Sequence, residues 1–242
     1  MTGTEPPADA MDEAYEALVT ARRRGQDAMD AVARIARTSV ELLPIDGASV
    51  SLMTDTDRRE TLCATDEVAA RIEMVQFGLG EGPCFEAFAT RRPVQIADLS
   101  ADTGGRWAVF ATELADDPVG AIYAFPLLAG SVGLGAMNLY RADPGRLSTT
   151  ALVIAVQAAD LVAAALSGTA RGAGAAPPDS DLFTARAQVH QATGMIVAAF
   201  HVSTEHALAR LRSYAFVTGR RVDDVADDLV ARRLDPDRID GS

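Results

Sequence analysis

Lysine is absent from this chain. All 22 basic residues are arginine, and with abundant Ala, Gly and Asp this is the mark of a GC-rich genome, which speaks to origin and not to function. Positive charge is scarce overall: 34 acidic residues against 22 basic ones leave a formal net charge of −12. That balance argues against nonspecific binding to nucleic acid or anionic membrane, which would repel the chain as a whole, but leaves room for a local basic patch. Cysteine is limited to Cys63 and Cys84, too few for a disulfide framework or for a metal site by themselves. The three histidines, His190, His201 and His206, do not share metal-ligand spacing on one face, so no metal is expected. Long apolar runs are missing as well. The richest stretch, Ala151 to Leu166, is interrupted by Gln157 and Asp160 and falls short of the ~20 residues that span a bilayer. The first residues, MTGTEPPADAMDEAYEAL, are acidic and unlike a secretory leader, so a cytoplasmic location without membrane contact is expected.

What is present has a clear order. Met11 to Leu43 reads as one helix, or two broken near Gly25, with Ala28, Val32, Ile35, Ala36, Val40 and Leu43 at helical spacing. Strands follow at Ala48–Met53, where Val50 and Leu52 alternate with Ser49 and Ser51, and at Glu60–Thr65. A short helix, Val68–Gln76, precedes the glycine-rich turn GLGEGP and a helix from about Cys84 to Thr90. Three more strands, VQIADL, AIYAFPLLA and VGLGAMNLYR, lead to a long helix capped by Ser148 and running to about Leu166. This order predicts an α+β domain with an antiparallel sheet and flanking helices, placed on one face. The stretch GTARGAGAAPPD reads as a linker, and the remainder is wholly helical, an all-α three-helix bundle with Ser203 capping its second helix and Gly219 ending it. The expected division is an amino-terminal acidic segment and helix (1–27), an α+β domain (28–167), a linker (168–179), a helical domain (180–235) and a tail (236–242).

Four motifs in order, Gly78–Cys84, Arg91–Leu99, Arg106-Trp107 with Phe110, and Ala124–Tyr140, make the first domain resemble a GAF domain of the actinobacterial signalling type. The resemblance implies a pocket sensing a small molecule or redox signal and a homodimer joined by flanking helices. Candidate pocket residues are Cys84, Trp107, Phe110, Phe125 and Asn138; Trp107 and Phe110 serve equally as ordinary core. Gln191-Ala192-Thr193-Gly194, Leu211-Arg212, Tyr214, Arg220-Arg221-Val222 and Val225-Ala226 make the second domain resemble an ANTAR domain. That resemblance implies an RNA-binding antitermination module holding paired hairpin loops in leader RNA, two copies per dimer. Thr193 stands where that family usually carries a basic residue.

The candidate RNA contacts are Gln191, Thr193, Gly194, Arg212, Tyr214, Arg220 and Arg221. Guanidinium groups pair bidentately with phosphate and stack on unpaired bases, and an exposed Tyr214 would add a stacking surface. The plainer reading makes the arginines a solvated face paired with the following aspartates, and Thr193 a small packing residue. Cys84 at a helix start is either an activated thiolate or a small buried hydrophobe, and the second is favoured because no His lies near it. GLGEGP lacks the Lys-Ser/Thr of a phosphate loop and reads as a turn with positive backbone angles at the pocket mouth. The expected protein is therefore not an enzyme but a signal-responsive antitermination regulator. The alternatives are a ligand-sensing interaction module without RNA binding, or a thiol-based redox sensor or sulfoxide-reductase-like GAF protein. No cofactor follows from the sequence.

Overall fold

The computed structural model describes residues 8–53, 59–102, 105–169 and 181–239. Two helices open it, α1 (Ala8–Arg24) and α2 (Ala28–Leu42). The break at Gly25 is followed by Asp27, whose side chain accepts from the Asp30 amide and starts α2. Strands β1 (Gly47–Met53) and β2 (Arg59–Ala64) form a hairpin with a register shift at Val50/Ser51. Helix α3 (Glu67–Leu79) is capped by Asp66 and ends at Gly80 in the left-handed region, and α4 (Pro83–Thr90) follows at once. Strand β3 (Val94–Ile96), a short helix α5 (Ala108–Glu113), β4 (Ala121–Ala129), β5 (Val132–Arg141) and the long α6 (Thr149–Thr169) complete the first unit.

The five strands form one antiparallel sheet in the order β2-β1-β5-β4-β3. Helices cover both of its faces, not one. Val50, Phe125, Leu127, Met137 and Leu139 point to one side, where α1, α2 and α6 bury Leu18, Ile35, Ala155 and Val162 against them. Ile96, Ile122 and Tyr140 point to the other, under Ile72 and Val75 of α3 and Phe110 of α5. Central strands covered on both sides carry few polar residues that reach water, so their apolar and polar alternation marks two different interiors.

Among the described residues α6 is the one helix long and apolar enough to cross a membrane, over Thr149–Ser167. Its Ile154, Ala155, Ala158 and Val162 are buried in the sheet's core, while Asp160 faces solvent and Gln157 is half-buried. Its apolarity is that of a core helix.

The expected linker, 168–179, lies almost wholly outside the described residues. Beyond it, α7 (Asp181–Phe200), α8 (Thr204–Val217) and α9 (Val222–Val230) pack Val189, Ile196, Leu211, Val225 and Leu229 together. Ser203 accepts from the His206 amide at the start of α8, and Gly219 turns the chain with φ of +62°. One residue of this helical core comes from elsewhere: Phe77 of α3, 1% exposed. The two units are therefore packed on one another through α3.

Gly135 of β5 is held by close approach of β1, since a Cβ there would lie 2.0 Å from the Ser51 carbonyl oxygen. Gly135→Ala is expected to cost about 1–3 kcal/mol by forcing the two central strands apart. Urea unfolding measures it, and an unchanged midpoint would contradict this strand spacing.

Candidate functional site

The first candidate site is polar where a sheet core is ordinarily apolar. Helix α3 carries Glu73 on the face that meets β1, β2 and β5, and the carboxylate is 0% exposed. Its Oε1 accepts from Ser49 Oγ (2.7 Å) and Asn138 Nδ2 (2.6 Å). Its Oε2 accepts from Ser51 Oγ (2.5 Å), Thr61 Oγ1 (3.0 Å) and Arg59 Nη2. Arg59 is 2% exposed, ion-paired to Glu73, and lies 5.1 Å from the Phe85 ring centroid. Moving such a pair out of water costs several kcal/mol per ion, offset only where geometry and extra hydrogen bonds are good. The carboxylate meets that condition and the rest of the cluster does not. Among the described residues Arg59 Nε and Nη1, Gln76 Nε2 and Asn138 Oδ1 are buried without a partner. Three donors and one acceptor left over in a buried polar cluster suit a small polar molecule carrying an acceptor group, a carboxylate above all.

Of the five residues expected to line a pocket, only Asn138 belongs to this cluster. Cys84 lies next to it, 0% exposed among Met53 and Ala136, with its amide donating to Gln76 Oε1 at 2.9 Å. Trp107 and Phe110 pack in the cluster under α3 and α5, and Arg106 lies 5.2 Å from the Trp107 ring. Phe125 points to the opposite side of the sheet, toward α1, α2 and α6. The sheet separates Phe125 from the other four, and on the α3 side Trp107 and Phe110 belong to a different cluster from Cys84 and Asn138.

Sequence reasoning missed Ser49, Ser51, Arg59, Thr61, Glu73 and Gln76. The alternation in β1 is visible in the sequence, but its polar side suggests solvent; the serines instead meet α3. Glu73 itself is flanked by Ile72, Met74, Val75 and Phe77, an acid within an apolar helical run.

The cysteines do not form a pair. Cys63 packs with the core on the far side of the sheet from Cys84. Burial, reinforced by the Glu73 charge, pushes its thiol up to about 12, the reverse of what a reactive thiolate requires. Among the described residues no cluster of His, Cys, Asp and Glu could hold a metal ion.

The second candidate site is the corner between α8 and α9. Arg212, Arg220 and Arg221 line one cleft of about 210 Å³ together with Arg71, Met74 and Phe216. Arg220 donates to Asp228 Oδ2 (2.6 Å) and to the Asp224 carbonyl (3.2 Å). Arg221 donates to Asp223 (3.3 Å) and reaches Met74 Sδ (2.9 Å). The guanidinium of Arg212 lies 5.4 Å from the Phe77 ring. Arg233 first and Arg220 second hold the Asp228 carboxyl below its usual range.

Tyr214 is half-buried against the helical core. Phe216 and Val217, which sequence reasoning passed over, are 65% and 79% exposed; two apolar residues just before the terminal Gly219 were their signal. Gln191 is exposed, whereas Thr193 is 3% exposed with its hydroxyl donating to the Val189 carbonyl (2.7 Å). Thr193 and Gly194 face a different cleft, of about 590 Å³, opposite Leu52, Arg59 and Glu60. The structure thus gathers the arginines in one place and the Thr193-Gly194 pair in another.

A family model described as GAF domain matches residues 26–167, and one described as ANTAR domain matches residues 183–230. Among solved structures the chain is similar to the GAF domain from an Acinetobacter phosphoenolpyruvate-protein phosphotransferase, with TM-score 0.56 and 12% identity over 70% of this chain and 100% of that one. It is similar to the corresponding GAF domain from Coxiella burnetii, with TM-score 0.56 and 15% identity over 69% and 98%. Free methionine-R-sulfoxide reductase from Neisseria meningitidis, solved with its substrate, gives TM-score 0.52 and 12% identity over 72% and 99%. At these identities the likeness concerns the fold alone. No curated protein matches the chain.

Removing one member of the buried pair leaves the other charge uncompensated. Glu73→Leu and Arg59→Met are each expected to lose about 3–5 kcal/mol of stability, and the double variant Arg59→Met/Glu73→Leu less than the two losses added. Chemical denaturation of the three variants checks this, and full additivity would mean the pair is not coupled. Ellman's reagent at about pH 8 is expected to leave Cys63 unmodified in the folded protein and to modify it on unfolding.

Proposed function

The chain belongs to the GAF domain family, with an ANTAR domain behind it, and from that premise we propose a specific antitermination regulator. At the level of its domains it joins a sensing module to an RNA-binding one, both regulatory and neither catalytic. In the proposed reading the buried Glu73–Arg59 cluster is the sensing site. Its signal is a small polar molecule, received by Arg59, Gln76 and Asn138. The α8–α9 corner binds leader RNA that presents a pair of hairpin loops, and two copies of the chain, as a cytoplasmic homodimer, hold one RNA.

The observation that carries the RNA assignment is the convergence of Arg212, Arg220 and Arg221 on one cleft beside the exposed Phe216. Phosphate binding asks for guanidinium edges, and unpaired loop bases ask for an exposed π-face. The overall charge of −12 repels nucleic acid at long range, so affinity must come from this corner and must be strongly salt-dependent. The partners Asp223, Asp224 and Asp228 restrain the same arginines, which limits binding to RNA whose phosphates can compete with them.

Filter binding of the full chain to transcribed two-hairpin RNAs tests this. Arg220→Ala/Arg221→Ala is expected to weaken binding by about tenfold or more and to lower the slope of affinity against salt by about 1 for each phosphate no longer neutralised. Absence of binding by the unaltered chain and by variants with an exposed corner, even at low salt, would sink the reading.

A further inference from the structure

Helix α3 has two working faces, and they belong to different domains. One turn of it carries Glu73, which takes the five donors of the sensor's polar cluster. The same turn carries Met74 and Phe77, which contact Arg221 and Arg212 of the helical domain. Phe77 is built into the helical domain's core. The glycine-rich segment that follows completes the contact. A Cβ on Gly78 would stand 3.6 Å from Val222, at the start of α9. Gly80 has φ of +70°, and a Cβ there would stand 2.7 Å from Arg212 Nη1. Phe77-Gly78-Leu79-Gly80 thus runs along the α8–α9 corner and seats it through Phe77, in place of the pocket mouth expected from the sequence. A second contact between the domains, of α7 with β2, puts Thr193 and Gly194 opposite Arg59, the cation of the same polar cluster.

We propose that this docked arrangement is the RNA-silent state of the protein, and that α3 is the switch. The inference rests on the RNA-binding reading above and adds its regulation. Docked, Arg212 is laid along the Phe77 ring and Arg221 against Met74, so α3 occupies the side from which a phosphate backbone would reach them. The polar cluster is the latch. Glu73 keeps its bonds to Ser49, Ser51, Arg59, Thr61 and Asn138 only while α3 sits in its present position on β1, β2 and β5. A ligand that takes up the spare donors of Arg59 and Gln76 changes the position that α3 prefers. Met74 and Gly78 lie on the side of α3 away from Glu73, and Phe77 lies one turn beyond Glu73 on nearly the same side, so a displacement of α3 at Glu73 displaces all three contacts with the helical domain. The ligand needs only to favour the undocked arrangement over the docked one.

Two neutral substitutions open the seat without adding charge that would itself attract RNA. Phe77→Ala removes the ring under Arg212, and Gly78→Gln places a side chain against Val222 at a helix position that tolerates it. Ser51→Ala removes one Glu73 donor and weakens the latch. Hydrogen–deuterium exchange of the full chain, without RNA, reads docking directly in residues 212–222, with β4 and β5 as the control for an intact sensor fold. Filter binding to a pool of transcribed two-hairpin RNAs with randomised loops reads affinity. Phe77→Ala and Gly78→Gln are expected to raise exchange in 212–222 and to tighten RNA binding at least tenfold, and Ser51→Ala to shift both in the same direction by a smaller factor. Raised exchange with unchanged or weaker RNA binding overturns the masking while leaving RNA binding intact. Unchanged exchange in both seat variants overturns the docking itself, and unchanged exchange in Ser51→Ala overturns the latch. No RNA bound by any variant, with exchange raised, overturns the RNA reading and the masking together.

Discussion

A carboxylate with no exposure to water governs the organisation of this protein. Among the described residues Ser49, Ser51, Thr61, Asn138 and Arg59 surround the Glu73 carboxylate with donors, which is what a charge buried in the interior requires. Those five residues come from three adjacent strands, so the carboxylate fixes how α3 lies across β2, β1 and β5. A hydrophobic contact in its place would have allowed α3 to slide, since apolar packing is non-directional. Hydrogen bonds to a buried charge do not allow it. The position of α3 in turn determines where Phe77 projects, and Phe77 is where the helical domain finds its last core residue.

Much of the architecture was legible in the sequence because it rests on local signals. The break near Gly25, the strands at 121–129 and 132–141, and the Ser203 cap follow from spacing and capping chemistry that need no tertiary knowledge. The site was less legible for a specific reason. Alternation in β1 identifies two faces but does not say what covers each one, so Ser49 and Ser51 resemble a solvent side until α3 is placed over them. Glu73 likewise resembles an ordinary acid on an amphipathic helix. Ala69, at i−4, and Ile72 mark this side of the helix as buried, and an acid among buried residues is the more informative signal. Phe125 was misplaced by the same ambiguity: it is one residue out of phase with the face that carries Ala124 and Asn138.

The charge distribution has a consistent logic. A chain with no lysine and a surplus of acid has little general attraction for polyanions. It concentrates its cationic chemistry in planar groups at a corner where aspartates hold them in place. Asp228, shared by Arg233 and Arg220, and Asp223, paired with Arg221, keep the guanidinium groups ordered. Exposed pairs of this kind contribute little to stability, with a median of about 0–1 kcal/mol. Their effect is on availability: in the proposed RNA site a phosphate would have to replace a carboxylate that is already there.

The two candidate sites meet in α3, and this makes the tether between the domains less important than it looks from the sequence. The covalent connection through residues 168–179 keeps the helical domain at high effective concentration near the sensor. Under that condition a small seat suffices. Phe77, Met74 and the glycines at 78 and 80 need not bind the helical domain as a free partner, only hold it against dissociation within one molecule. A seat of that size is also one that a modest ligand can unseat, because the free energy the ligand must supply is set by the intramolecular equilibrium and not by a full association constant. Reading Phe77-Gly78-Leu79-Gly80 as a seat rather than a pocket rim therefore explains why a sensing domain would bury a phenylalanine in the core of its neighbour.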